Sequence, residues 1–251
     1  MTILRRWSEK DNAHMTTREV VDFDGFAIVP EALASKDIDE ILRSLESAPA
    51  RRSRAGMRHC LDSAEVARLS RDSTLLTVAR EVLGDDAFPF RATLFDKSPS
   101  ANWLVVWHQD TALPIQERHD VSGWGPWSIK EGILHAHAPA EALSEVLALR
   151  VHLDNSTLEN GPLRVLPRTH GLGVLSDDAM HRLATEVTPM DCLVPRGGVL
   201  AMRPLLVHSS SKSKVGNPRR VLHIEYVASA LLPGGLRLAV AGNQQSVGAV
   251  K

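Results

Sequence analysis

From residue 88 onward the apolar positions fall in short runs rich in β-branched and aromatic residues, separated by Pro, Gly, Asn and Asp. That spacing belongs to a sandwich or barrel. It predicts eight strands, near 90–96, 102–108, 146–154, 163–167, 192–195, 198–203, 205–209 and 219–228. Ahead of them the period lengthens to that of a helix: Ile38, Ile41, Leu42 and Leu45 recur at i, i+3, i+4 and i+7. The helix is entered at Ser35 or Asp37, with Asp37 and Glu40 in a capping-box pattern. Further helical segments are predicted around 63–69 and 73–83, the second stopped at Gly84. The run 20–29 predicts a strand closed by Pro30. A long insertion from Thr111 to about Ala138 holds Trp124, Trp127 and His135 and predicts an ordered cover.

Two of the strands alternate in an informative way. Leu147, Leu149, Val151 and Leu153 share one face, while Arg150, His152 and Asp154 share the other. In the last strand Leu222, Ile224 and Tyr226 oppose Arg219, His223 and Glu225. Polar faces of this kind can point inward only in a barrel built around a central site.

Composition narrows the function. The chain has 251 residues, 43% of them apolar and 24% charged, with a formal net charge of −1. Such balance argues against a nucleic-acid partner, which needs a concentrated basic face. Arg51, Arg52, Arg54 and Arg58 read as a solvated loop. Cys60 and Cys192 lack the spacing of a disulfide framework or a thiolate metal site, and a reducing cytoplasm is expected. No run approaches 18 apolar residues, so no membrane partner is expected. The chain is expected to be one domain, with an N-terminal strand and helices over 1–87, a barrel core over 88–238 and a tail over 239–251.

Eleven histidines stand against a single tyrosine. His108 and Asp110, two apart at the end of an apolar strand, project to one side and can bind one metal ion together. The pair alone is weak, because chance supplies about 0.7 His-x-Asp occurrences at this composition, and His152 with Asp154 is a second one. Its company is stronger: His208 ends another strand, and Arg219 follows eleven residues later. Two histidines and a carboxylate leave three positions open on Fe(II), enough for a bidentate co-substrate and dioxygen. A guanidinium on the next strand can grip the distal carboxylate of such a co-substrate. His135 and His137 bring no third ligand. Trp103 and Trp107 alternate away from His108 toward packing, whereas Trp124 and Trp127 are placed to line a substrate mouth.

The segments 102–110 (NWLVVWHQD) and 160–167 (NGPLRVLP), together with His208 and Arg219, resemble the phytanoyl-CoA dioxygenase family of Fe(II)/2-oxoglutarate oxygenases. The resemblance runs from about Phe23 to Ala228. It implies a mainly β fold, a cupin-like double-stranded β-helix or jelly roll, with N-terminal helices packed on one sheet. It implies His108, Asp110 and His208 as iron ligands and Arg219 on the 2-oxoglutarate C5 carboxylate, with Lys97, Gln109 and Ser210 near the co-substrate; the inward alternation of its strand adds Arg150 to them. Fe(II), 2-oxoglutarate and dioxygen are the implied cofactors, with ascorbate as a supporting reductant. The expected reaction is oxidation, above all hydroxylation, of a small molecule with release of succinate and carbon dioxide. Related halogenases carry a small residue at the carboxylate position, so the intact Asp110 favours oxygen transfer.

The chain departs from the family at Arg168, where Gly usually follows Pro, which predicts a locally different backbone. Two rival readings stay open: a redox-independent cupin-like metalloenzyme, which has no need of Arg219, and a catalytically inactive binding barrel. Arg150, His223 and the basic loop through Arg58 suit a polar or anionic substrate. Oligomeric state is left open.

Overall fold

A computed structural model describes residues 15–47, 56–98 and 101–240. Arg51, Arg52 and Arg54 and the tail beyond 240 lie outside the described residues. Six antiparallel strands form the larger sheet: β1 (Phe26–Val29), β2 (Gly56–Met57), β3 (Phe88–Lys97), β8 (Leu147–His152), β11 (Val199–Met202) and β13 (Arg219–Val227), in the order β1-β11-β8-β13-β3-β2. The smaller sheet runs β10-β9-β12-β4, from β4 (Val105–His108), β9 (Leu163–Val165), β10 (Met190–Cys192) and β12 (His208–Ser210). Its partner strands pair antiparallel as well.

The two sheets face one another. Phe26, Ala148, Leu200 and Met202 of the larger meet Leu163, Val165 and Cys192 of the smaller in one buried cluster. On its other face the larger sheet carries Leu147, Leu149, Val151, Leu222, Ile224 and Tyr226, packed against the helices α2 (Ser35–Ser47), α3 (Ala64–Leu69) and α4 (Ser73–Leu83). This is the jelly roll with N-terminal helices on one sheet. The amphipathic stripe Ile38, Ile41, Leu42, Leu45 is what docks α2, since all four are buried. Tyr226, buried among them, donates its hydroxyl to Ser70 O at 2.7 Å.

Several expectations are corrected. Residues 20–24 belong not to a strand but to α1 (Thr17–Asp24): Thr16 and Glu19 form a capping box, and Gly25 closes the helix in the left-handed region at φ 87°. The strand begins only at Phe26. Asp37 does not cap α2. That helix starts at Ser35, and Asp37 lies in its first turn, where a carboxylate favours the N-terminal dipole. Residues 205–207 are not strand: Leu205 and Leu206 end a turn that Leu206 N closes on Arg203 O at 3.1 Å, before β12. Strand β4 begins at Val105 rather than 102.

The insertion is ordered, but as a small sheet of its own. Its strands β5 (Ala112–Pro114), β6 (Trp127–Lys130) and β7 (Ile133–His137) are arranged β5-β7-β6. Leu113, Ile115 and Ala136 bury against Phe90, Val227, Leu236 and Leu238 at one end of the barrel. Two further α-helices are α5 (Ala140–Ser144) and α6 (Asp177–Glu186). Arg168, the departure from the family pattern, adopts φ 69° and ψ 5°. Its backbone keeps the left-handed geometry that glycine supplies elsewhere.

Candidate active site

Strands β4 and β12 pair so that His108 lies directly opposite His208, with ring centroids 4.1 Å apart. Each imidazole is fixed in the same way. His108 Nδ1 is 2.8 Å from Val106 O and His208 Nδ1 is 2.8 Å from Leu206 O. A carbonyl can only accept, so Nδ1 donates in both rings and each Nε2 keeps its lone pair. Asp110 follows β4, held by its N–H on Pro204 O at 2.9 Å. Its carboxylate oxygens lie 3.8 Å from His108 Nε2 and 3.6 Å from His208 Nε2. One ligand atom of each residue falls within 4.8 Å of the other two. Two lone-pair nitrogens and a carboxylate that converge in this way could hold a metal ion with positions left open.

The charges suit this role. Burial by itself would raise the Asp110 carboxyl, but His208, His108, His223 and Arg150 outweigh it and hold the group well below the usual carboxylate range. His208 is pushed down to about 4, first by burial and then by His108, so its ring is neutral near pH 7.

Two cavities meet at Asp110. The inner one, of about 70 Å³, is walled by Phe95, Lys97, Trp103, Arg150, Ser210 and Arg219 as well as by the three converging residues. Across β13 and β3, Arg219 is the register partner of Lys97, and across β13 and β8, His223 is the partner of Arg150. Lys97 Nζ donates to Ser210 Oγ at 2.7 Å, Arg219 Nη2 donates to the same oxygen at 3.2 Å, and Ser210 Oγ donates in turn to Gly161 O at 2.9 Å. Burial, followed by Arg219 and Arg150, lowers Lys97 to about 7. Burial and Arg150 lower Arg219 to about 10. Among the described residues none of these three cations has a carboxylate ion-pair partner, and Arg150 Nε has no hydrogen-bond partner.

The outer cavity, of about 340 Å³, is walled by Arg58, Arg91, Thr93, Asp110, Lys130 and His223, among others. His223 thus touches both regions, since its Nδ1 also lies 3.1 Å from Arg150 Nη1. Burial, with Arg150, pushes His223 down to about 3, which leaves Nδ1 free to accept from that guanidinium.

The remaining expected residues are distributed unevenly. Gln109 borders the outer cavity, but its amide is committed to the backbone: Nε2 donates to Gly173 O at 2.9 Å and Leu205 O at 2.7 Å, and Oε1 accepts from Leu175 N at 2.8 Å. It braces the loop behind His108, Asp110 and His208. Arg58 is on the cavity wall, tied to Glu131 at 2.8 Å. Trp124 and Trp127 are on neither wall. Trp124 is buried in the apolar cluster under the small sheet and Trp127 packs against the same cluster, because both indoles find an apolar surface there that the charged mouth does not offer. Trp103, expected in packing, instead covers the inner cavity with Lys97 Nζ 5.6 Å from its ring. Sequence reasoning passed over Lys130 and Arg91. Lys130 carries no motif, and Arg91 is recognisable only as the cross-strand partner of Glu225.

The sequence and the fold are similar to those of known proteins. Residues 21–221 match the family model described as phytanoyl-CoA dioxygenase. The chain belongs to that family. It is thereby an enzyme of the Fe(II)/2-oxoglutarate-dependent oxygenase class. Among curated proteins, an L-proline trans-4-hydroxylase of Streptomyces griseoviridis is 25% identical, with 81% of this chain and 82% of the relative aligned. Among solved structures, EctD from S. alaskensis with bound Fe superposes with a TM-score of 0.65 at 19% identity, covering 88% of this chain and 79% of that one. HygX from Streptomyces hygroscopicus, with nickel and 2-oxoglutarate bound, gives a TM-score of 0.60 at 17% identity, covering 88% and 87%. These two likenesses concern the fold. No helix among the described residues is long and apolar enough to cross a membrane.

Proposed function

We propose that this oxygenase hydroxylates a small polar molecule, with one oxygen atom of O2 entering the substrate and the other entering succinate, as 2-oxoglutarate loses carbon dioxide. One observation carries the reading: three cations with no carboxylate partner among the described residues line a cavity that opens directly onto two imidazole lone pairs and a carboxylate. The donor set suits Fe(II). The surplus positive charge of the inner cavity suits a dicarboxylate. When bound, Fe(II) and 2-oxoglutarate supply the oxidising chemistry.

The rest is the work of the chain. His108 and His208 present Nε2 because their Nδ1 protons are spent on the backbone. Asp110 adds the negative charge. Arg219 is suited to hold the distal carboxylate of the co-substrate, with Ser210 steering its guanidinium and Lys97 completing the positive wall. Arg150 and His223 separate the co-substrate region from the outer cavity, where the substrate is placed beside Asp110. A curated relative named for hydroxylation of L-proline supports a small polar substrate. A redox-independent metalloenzyme would need the three ligands but not the inner cations.

Anaerobic titration with Fe(II) and 2-oxoglutarate tests this. The wild type is expected to develop a weak visible charge-transfer band, and His108→Ala to lose it. Arg219→Ala should require about tenfold or more 2-oxoglutarate, as befits loss of a charge-assisted hydrogen-bond pair. Chelation of the metal should stop succinate release. Absence of the band with iron demonstrably bound overturns the reading in favour of the redox-independent one.

A further inference from the structure

The outer cavity continues, past Arg91 and Lys130, into a side pocket of about 90 Å³ that shares Arg58, Arg91, Thr93 and Lys130 with it. Three cations therefore converge where the two spaces join. Two of them are neutralised. Arg91 is engaged by the buried Glu225 through Nε and Nη2, and Nη1 donates to Ala112 O at 3.2 Å. Arg58 donates to Glu131 at 2.8 Å, and His59 Nε2 lies 3.4 Å from the other oxygen of that carboxylate.

Lys130 is different. It ends β6, immediately before the turn in which Glu131 (φ 50°) and Gly132 (φ 83°) reverse the chain into β7. That turn spends the Glu131 carboxylate on Arg58 and His59, and the Lys130 ammonium is left without an ion-pair or hydrogen-bond partner among the described residues. The other carboxylates on these walls are Glu225, taken by Arg91, Asp110, which faces the two imidazoles, and Asp62, which is exposed.

We propose that Lys130 is the anion anchor of the substrate cavity: the substrate carries a carboxylate or phosphate group that binds at Lys130 beside Arg58, while the carbon to be oxidised faces Asp110. The inference rests on the proposed function and names the substrate class for the same site. Burial, then the neighbouring Arg91 and Arg58, lowers the Lys130 pKa. A bound anion relieves both effects at once, because it replaces lost solvation and offsets the like charges.

The test uses protein loaded anaerobically with Fe(II) and 2-oxoglutarate, so that the inner cations are occupied and the charge-transfer band reports the loading. Sodium acetate and sodium sulfate are then titrated by calorimetry, at constant ionic strength set with sodium chloride. Wild type is expected to bind one or both anions, Lys130→Gln about tenfold or more weakly, and Lys130→Arg nearly as well as wild type. Tighter acetate binding assigns a carboxylate and tighter sulfate binding a phosphate. Equal affinity in wild type and Lys130→Gln, or no binding in wild type, overturns the inference when the band is present. If the band itself never forms, the proposed function fails instead, and the comparison of Lys130→Gln with wild type still decides the anion site.

Discussion

At the scale of single residues, Arg168 shows how a side chain can offset its own backbone. A non-glycine residue at φ 69° forgoes about 1–2 kcal/mol relative to a right-handed conformation. In return the guanidinium pairs with Asp24 at 3.0 Å and lies 4.1 Å over the Phe23 ring. Asp24 is 2% exposed, so its charge has little access to water. Stranding a buried charge costs about 3–5 kcal/mol, somewhat less here because the arginine is partly solvated. Arg168→Gly restores the family's residue, relaxes the backbone and is nevertheless expected to lower stability by roughly 1–3 kcal/mol. Urea unfolding measures it. A variant more stable than wild type would show that the strain outweighs the pair.

At the scale of elements, the inner cavity depends on how closely β9 and β12 approach. Gly161, just ahead of β9, has φ 69°, and a Cβ there would stand 2.3 Å from Ser211 O. Its own carbonyl accepts the Ser210 hydroxyl that orients Lys97 and Arg219. Gly161→Ala must therefore displace the end of β12 and loosen the inner wall. We expect it to destabilise by about 1–3 kcal/mol and to weaken 2-oxoglutarate binding in the anaerobic titration more than it weakens Fe(II) binding. Unchanged co-substrate affinity would mean that Ser210 is not needed to position the cations. The pairing of β4 with β12 does the same for the candidate metal ligands: one register match sets His108 opposite His208.

At the scale of the whole molecule, four buried histidines are held neutral. His208 and His135 are lowered to about 4 and His223 to about 3, in each case first by burial, and His152 is lowered well below 6.5 by burial, Arg150 and Arg219. A histidine whose pKa falls on folding binds its proton more readily in the unfolded chain. Its contribution is complete above the unfolded value of 6.5 and is lost as pH drops from there toward the folded value. The metal-free protein should accordingly lose stability steadily between about pH 6.5 and about pH 4. Chemical unfolding at a series of pH values checks this, and His152→Leu, which removes a buried ring with neither nitrogen bonded, should flatten the slope. A flat profile in wild type would show that these rings can protonate in place.

Periodicity and local chemistry determined much of this protein before any fold was known. Helix α4 is predictable to the residue, because Asp72 caps it and Gly84 ends it. The alternation along β8 and β13 separates the helix-facing leucines from the inward Arg150, His223 and Glu225. The spacing of His108, Asp110, His208 and Arg219 singles out residues that the fold brings around one cavity. Other features are decided only by contact between distant segments. Residues 20–24 are the opposite case: they have strand composition, but the local caps Thr16, Glu19 and Gly25 make them a helix. Trp124 and Trp127 go to the apolar cluster under the small sheet because Phe90, Val227 and Leu236, far away in sequence, create it. Lys130 has no local signal, since its meaning comes from carboxylates already claimed by Arg58, His59 and Arg91. Short-range order follows from residues a few positions apart, whereas the free cation and the dry tryptophan depend on which partners the closed barrel leaves over.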